Sequence, residues 1–191
     1  MAKRIVIFAS GNGTNAQNII QYFQQKTMAN VVYVLTNNEH AKVLTRAQDM
    51  SVPAKAFSKE VLNNPYGILE TLKTLQPDLI VLSGFLLKFP AHIITEFPKK
   101  VINIHPALLP KYGGKGMYGR FVHEAVVANQ ETVSGITIHF VNEEYDEGAI
   151  IFQAKTTLSK EDTPEIVAAK VHQLEYEHFP KVIEQLLHDE S

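Results

Sequence analysis

Four short runs of β-branched and other apolar residues, separated by stretches with helical periodicity, constrain the fold more than any other feature of the sequence. The runs occupy residues 5–9, 31–35, 79–82 and 101–104. Strands that alternate with helices in this way predict parallel βαβ units, in which helices cover the sheet. After the first run, apolar residues recur at helical spacing on one face: Ala16, Ile19, Ile20 and Phe23.

The sequence predicts three further crossover helices, at residues 41–50, 65–75 and 90–97. For the first helix, Thr14 or Asn15 is the expected N-cap, because a side-chain oxygen there can accept from the free backbone N–H groups of the first turn. Strand–helix alternation therefore extends over the first half of the chain.

Beyond residue 130 the pattern changes, since Val133–Phe140 and residues 149–158 read as two strands joined by an acidic turn. This predicts a late antiparallel addition. A last helix is expected to begin at Asp162-Thr163-Pro164-Glu165 and to run to about Leu187, with a kink or split at Pro180. The predicted fold is a single-domain α/β architecture over residues 1–191: an open, mostly parallel Rossmann-like sheet flanked by helices, with the antiparallel addition and a C-terminal helix.

Composition excludes several classes of protein. With 45% apolar and 20% charged residues and a net charge of −2, the chain is neither disordered nor built to coat nucleic acid. The absence of cysteine excludes disulfides and thiolate chemistry. The basic start and the apolar run after it are too short for a signal peptide or a membrane span, so we expect a cytoplasmic protein without a membrane partner.

The glycine-rich loop Ser10-Gly11-Asn12-Gly13-Thr14-Asn15 lies between the first predicted strand and helix. Its backbone N–H groups and the positive end of the helix favour a phosphate. A loose dinucleotide fingerprint is also present, but the second strand ends in Leu35-Thr36-Asn37-Asn38, without the acidic residue that binds ribose. A Walker A loop fails because no Gly-Lys-Ser/Thr follows. A tight turn without a ligand is the alternative.

The tripeptide Asn103-Ile104-His105 ends the fourth strand, and Pro106 follows it. The strand period of two puts Asn103 and His105 on the same face, at the carboxyl edge where open α/β sheets bind ligands. An amide that donates to an oxyanion, beside an imidazole that exchanges a proton, suits acyl transfer. The alternative is a turn-supporting asparagine beside an interior histidine.

The acidic turn Asn142-Glu143-Glu144-Tyr145-Asp146-Glu147-Gly148 can supply a carboxylate that holds His105 cationic, although the pattern does not select which one. A solvated loop is the alternative. No pair among the other histidines has metal-ligand spacing, so no metal is predicted: His40, His92, His123, His139, His172, His178 and His188.

These motifs together resemble the phosphoribosylglycinamide formyltransferase family, over nearly the whole chain. The resemblance rests on the glycine loop and on three later motifs: Pro77-Asp78 leading to Leu82-Ser83-Gly84-Phe85, Asn103-Ile104-His105-Pro106-Ala107-Leu108-Leu109-Pro110-Lys111-Tyr112, and Tyr145-Asp146-Glu147-Gly148. It implies an enzyme of de novo purine (IMP) biosynthesis. The formyl group of 10-formyltetrahydrofolate, the co-substrate, would pass to the amine of N1-(5-phosphoribosyl)glycinamide, also called glycinamide ribonucleotide.

The resemblance also implies roles for individual residues. Asn103 and His105 would stabilise the oxyanion, with His105 as general acid, while Asp146 would raise the pKa of His105 and organise water. Three loop residues would hold the phosphate: Gly13, Thr14 and Asn15. Glu175 would bind a ribose hydroxyl, near His172, which stands where relatives often have glutamine.

On the folate side, the resemblance implies that backbone groups of one segment read the pterin: Leu86, Leu87, Lys88 and Phe89. Relatives often have Met-Arg where this chain has Leu86-Leu87. Asn103 and the acidic turn would also contact the folate, through Asn142, Glu143, Glu144, Tyr145 and Asp146. Lys59 would replace an arginine near the glutamate tail. The glycines of residues 113–119 predict either a mobile flap or only a loop.

Two rival readings share part of this pattern. Methionyl-tRNA formyltransferase and formyltetrahydrofolate deformylase have the same Asn-x-His…Asp centre, but they usually carry another domain, and we expect neither a tRNA-gripping extension nor a regulatory segment here. A nucleotide-binding module without catalysis is the rival from another class. We expect small-molecule substrates, no nucleic-acid partner, and a monomer or homodimer.

Overall fold

A seven-stranded sheet, in the order β3-β2-β1-β4-β5-β6-β7, forms the centre of the molecule. The computed structural model describes residues 1–189. The strands are β1 (Lys3–Phe8), β2 (Ala29–Thr36), β3 (Ala54–Ala56), β4 (Leu79–Leu82), β5 (Val101–His105), β6 (Val133–Phe140) and β7 (Ile150–Thr157). The first five strands in this spatial order, which are β3, β2, β1, β4 and β5, pair in parallel with their neighbours. In contrast, β6 pairs antiparallel with both β5 and β7.

Helices cover both faces of this sheet. They are α1 (Thr14–Gln24), α2 (Lys42–Asp49), α3 (Lys59–Asn63), α4 (Ile68–Leu75), α5 (Ala91–Glu96), α6 (Arg120–Ala128) and α7 (Pro164–Asp189). Alternate residues of β1 enter two separate cores: Ile5 and Ile7 pack with α1, α2, α6 and α7, while Val6 and Phe8 pack with α3, α4 and α5. Because both faces are covered, the central strands are apolar throughout instead of alternating with polar residues.

The predicted α/β class, the mostly parallel sheet, the late antiparallel pair and the C-terminal helix are confirmed. The four predicted apolar residues of α1 are buried. Three elements were not predicted: β3, α3 and α6. The N-cap prediction is wrong, since Gly13 caps α1 in the left-handed conformation and no side chain bonds the cap.

The long helix α7 continues unbroken through Pro180, so the predicted split does not occur. Proline lacks an N–H, which leaves the carbonyl four residues earlier without its helical donor. That carbonyl belongs to Tyr176, and the Asn18 side chain of α1 donates to it at 2.9 Å. A neighbouring helix therefore compensates for the missing bond.

Among residues 1–189, no helix is both long enough and apolar enough to cross a membrane.

Candidate active site

A cavity of about 830 Å³ opens at the carboxyl ends of β1, β4 and β5. Residues 11–15, 82–89, 103–106 and 114–120 line it, together with parts of the acidic turn and of α7. This is the edge at which parallel α/β sheets bind ligands, because the connecting loops converge there. The glycine loop, the Asn-x-His strand end and the acidic turn thus meet in one space.

The glycine loop forms the end of the cavity at α1. Gly13 has φ of +73°, and a β-carbon at this position would lie 2.4 Å from a methyl carbon of Val43, so only glycine fits. Arg46 of α2 holds the loop by donating to the Asn12 backbone oxygen at 2.8 Å. Since no side chain caps α1, the free N–H groups of its first turn can receive an anion.

Glu175 connects this loop to α7. It is buried, and its Oε2 accepts from Asn15 Nδ2 at 2.8 Å and from His172 Nδ1 at 2.7 Å. The hydrogen bond with Glu175 raises the pKa of His172, against the opposing effect of burial. The His172–Glu175 pair lies beside the glycine loop, since Glu175 also accepts from Asn15.

Asn103, His105, His139 and Asp146 form a cluster on the other side of the cavity. Asn103 lies opposite His139 in the antiparallel pair β5–β6, and its Nδ2 is 3.1 Å from His139 Nε2. His139 Nδ1 lies 2.9 Å from the Phe140 carbonyl and donates to it, so Nε2 accepts from Asn103. The Asp146 carboxylate lies 3.5 Å from His105 Nδ1 and 3.6 Å from His139 Nε2.

The charge of His105 depends on two opposing effects. Burial lowers its pKa and is the larger effect, while the Asp146 carboxylate acts to raise it. Asp146 therefore acts on the pKa of His105 in the expected direction, while burial makes the net shift a lowering. His105 Nε2 donates to the Tyr112 carbonyl at 2.7 Å, which leaves Nδ1, facing Asp146, as the nitrogen that takes up a second proton.

The carboxylate of Asp146 is kept ionised by its surroundings. Burial acts to raise its pKa, but the nearby His139 ring, the charge of His105 and the Gly114 N–H together lower it. The Gly114 N–H donates to Oδ2 at 2.9 Å. Gly148 lets the turn approach β6, since a β-carbon there would lie 1.7 Å from the Phe140 oxygen.

The segment after β4 lines the far end of the cavity, and all four of its predicted folate residues face it. The Leu86 N–H already donates to Ser10 Oγ at 2.9 Å, which ties the segment to the end of β1. Phe89 is buried against Phe8, with 5.1 Å between ring centroids. Lys88 reaches across to Glu144, at 3.7 Å.

Most predicted site residues line this cavity, and two do not. The residues that do are Gly13, Thr14, Asn15, Leu86, Leu87, Lys88, Phe89, Asn103, His105, Asn142, Glu144, Tyr145, Asp146, His172 and Glu175. Lys59 is the first residue of the unpredicted helix α3 and lies outside the lining. Glu143 is exposed on the turn and also lies outside.

Two histidines that sequence reasoning set aside belong to the site. His139 contacts Asn103 across the sheet, and His123 lines the cavity from α6. The register of β5 against β6 is what brings His139 opposite Asn103, and no motif reveals it. Among residues 1–189, no group of three or more potential ligands is arranged to hold a metal ion.

Fold, cavity and cluster agree with the sequence comparisons. The chain matches the formyl transferase family over residues 3–183 and belongs to it. A relative from Haemophilus influenzae, phosphoribosylglycinamide formyltransferase, is 37% identical and aligns with 95% of this chain and 85% of its own length. A chloroplastic phosphoribosylglycinamide formyltransferase from Arabidopsis thaliana is 35% identical over 95% of this chain, which spans only 64% of that relative.

The solved structure of phosphoribosylglycinamide formyltransferase from Anaplasma phagocytophilum has the same fold. Its TM-score is 0.90 at 29% identity, with 99% of this chain and 89% of that chain covered.

Proposed function

We propose that this protein transfers the formyl group of 10-formyltetrahydrofolate to the amine of N1-(5-phosphoribosyl)glycinamide, in de novo purine biosynthesis. One observation carries the proposal: an amide, a histidine and a carboxylate, in Asn103, His105 and Asp146, share one cavity with a helix N-terminus that has no side-chain cap and suits a phosphate. The names of the relatives agree with this chemistry. Both reactants are small molecules, and the formyl folate acts as co-substrate.

In the proposed reaction, the substrate amine attacks the formyl carbon, so that a C–N bond forms and the carbonyl oxygen becomes an oxyanion. Asn103 carries two N–H groups and gives one to His139, so the other can donate to this oxygen. His105, protonated at Nδ1 towards Asp146, adds positive charge beside it. A positioned oxyanion donor is typically worth about 3–4 kcal/mol of the activation barrier.

The intermediate then collapses, and the bond from the formyl carbon to N10 of the folate breaks. Overall, one proton passes from the attacking nitrogen to the leaving nitrogen. His105 can give its Nδ1 proton and regain one, because the fixed carboxylate of Asp146 stabilises the imidazolium each time it forms. The imidazolium of His105 therefore always forms beside the opposite charge of Asp146.

At the other end of the substrate, the phosphate would bind the free N–H groups at Gly13, Thr14 and Asn15. His172, whose pKa is raised by Glu175, would supply an opposite charge. Glu175 Oε2 is held by Asn15 and His172, and the carboxylate can also accept from a ribose hydroxyl. Segment 86–89 and the acidic turn would bracket the folate.

We also propose a cytoplasmic enzyme in which residues 1–191 form one formyltransferase domain, with no metal and no nucleic-acid partner, as a monomer or homodimer.

The test is an assay of the purified protein with glycinamide ribonucleotide and 10-formyltetrahydrofolate, following tetrahydrofolate release and the mass of the nucleotide product. We expect the nucleotide to gain one formyl group per folate released. Folate release that does not require glycinamide ribonucleotide would point to a hydrolase and contradict the proposal. Absence of turnover with both substrates would contradict it as well.

A further inference from the structure

Five side chains among residues 1–189 have a buried polar atom without a hydrogen-bond partner, and three of them line the cavity: Asn15, Ser83 and His123. Folded proteins rarely leave such atoms unpaired, because the lost solvation is not recovered. A ligand bound in the cavity can supply the missing partners of the three atoms that lie there. Asn15 belongs to the loop that would bind the phosphate, and Ser83 begins the segment that leads to the folate side. The proposed function therefore already gives both residues a neighbouring ligand.

His123 is the one that the proposed function does not use. It lies on the buried face of α6, is 4% exposed, and has an unpartnered Nδ1. His123 lines the cavity, as do His172 and Glu175 at the phosphate end and His105 at the reaction centre, and all three act on its pKa. His123 thus lies near the stretch of cavity that a phosphoribosyl amine must occupy between these two ends.

The chemistry of His123 selects the part of the substrate that it contacts. Burial and the charge of His172 lower its pKa, so the imidazole is neutral near pH 7 and has one donor and one acceptor. A phosphate dianion is best matched by cations and N–H groups, which the loop and His172 provide. Ribose hydroxyls and an amide both donate and accept, and they match a neutral imidazole.

We propose that His123 is a substrate-binding residue whose Nδ1 hydrogen-bonds the uncharged middle of the phosphoribosylated amine, between its phosphate and its reacting nitrogen. This rests on the proposed function. It adds a residue that discriminates the ribosyl-glycinamide portion from other phosphorylated amines of similar length.

The variants to compare are His123→Leu, which removes both ring nitrogens, and His123→Asn, whose Oδ1 falls close to the position of Nδ1. His92→Leu is the matched control, because His92 also has a buried, unpartnered ring nitrogen but lies outside the cavity lining. KM is measured for each substrate, with the thermal midpoint as a check on folding. We expect His123→Leu to raise KM for glycinamide ribonucleotide roughly tenfold, as loss of one buried hydrogen bond does.

KM for formyl folate should change by less than about twofold, His123→Asn should recover most of the loss, and His92→Leu should leave both constants unchanged. The role of His123 is refuted if folded His123→Leu keeps the wild-type KM for glycinamide ribonucleotide, or if KM for folate rises instead. Absence of transfer in the wild-type enzyme refutes the proposed function itself, which separates the two failures.

If His123→Leu does not fold, the wild-type protein still decides the matter by ¹⁵N NMR of its imidazoles, with the His123 signal assigned from His123→Asn. We expect the His123 Nδ1 resonance to shift on addition of glycinamide ribonucleotide and to stay in place on addition of formyl folate. An unmoved resonance at saturating glycinamide ribonucleotide refutes the contact. A shift with ribose 5-phosphate as well assigns the bond to the ribose, and a shift only with the full substrate assigns it to the amide.

Discussion

Replacing Asp146 by asparagine removes a charge while keeping the shape of the side chain and an oxygen that can accept from the Gly114 N–H. The carboxylate lies 3.5 Å from His105 Nδ1, and both groups are largely buried. Unit charges at this separation attract by about 5 kcal/mol at an effective dielectric constant of 20. This is an upper limit, because His139 and the Gly114 N–H share the carboxylate.

Because Asp146 acts to raise the pKa of His105, its removal lowers that pKa further below the ordinary value for histidine. The protonated fraction of His105 at pH 7 falls, and the limb of the pH–rate profile that reports His105 moves to lower pH. We expect kcat at pH 7 to drop by about 10²- to 10³-fold, within the usual range for a positioned acid. Most of the loss should be recovered as the pH is lowered.

The assay is the pH dependence of kcat and kcat/KM for wild type, Asp146→Asn and Glu147→Gln. Glu147 is the matched control, since it is an exposed acid in the same turn and does not line the cavity. A profile of Asp146→Asn that superimposes on that of the wild type, apart from scale, would refute the argument. An equal shift in Glu147→Gln would show that net charge, and not the contact with His105, is responsible.

Three further predictions concern single changes. Asn103→Ala should lower kcat about 10²- to 10³-fold in steady-state assays with little change in either KM, and a rise in KM alone would remove its oxyanion role. Glu175→Gln removes the group that raises the pKa of His172, so KM for glycinamide ribonucleotide should begin to rise at lower pH than in the wild type; an identical pH dependence of KM contradicts this. Gly148→Ala forces a β-carbon against the Phe140 oxygen and should destabilise the fold by about 1–3 kcal/mol in chemical denaturation, and an unchanged midpoint would contradict the close approach.

Sequence patterns predicted the sheet because its central strands are continuous apolar runs, a signal that survives without tertiary information. They missed β3 and α3, which are short, and α6, which follows an irregular glycine-rich segment. The N-cap was mispredicted because Gly13, in the left-handed conformation, ends the loop without any side-chain bond. The hydrogen bond from Asn18 to the Tyr176 carbonyl replaces the bond that Pro180 cannot make. It likewise depends on how α1 packs against α7.

In the site too, some residues could be predicted from local sequence patterns and others depend on tertiary packing. Asn103 and His105 were accessible from the sequence because a strand period fixes their common face. His139 depends on the antiparallel register, and His123 depends on an unpredicted helix. Lys59 stays a prediction, since it begins the unpredicted helix α3, outside the residues that line the cavity. The net shift in the pKa of His105 required its burial, which no motif encodes.

A single-turnover reaction with isotopically labelled formyl folate, comparing wild type and His105→Ala at equal folded concentrations, tests most directly whether His105 drives formyl transfer. In the wild type, we expect the label to appear in the formylated ribonucleotide as tetrahydrofolate is released. In His105→Ala, transfer should slow by about 10²- to 10⁴-fold while the thermal midpoint stays close to that of the wild type. Label transfer at a comparable rate in the folded variant would show that His105 is not required for formyl transfer.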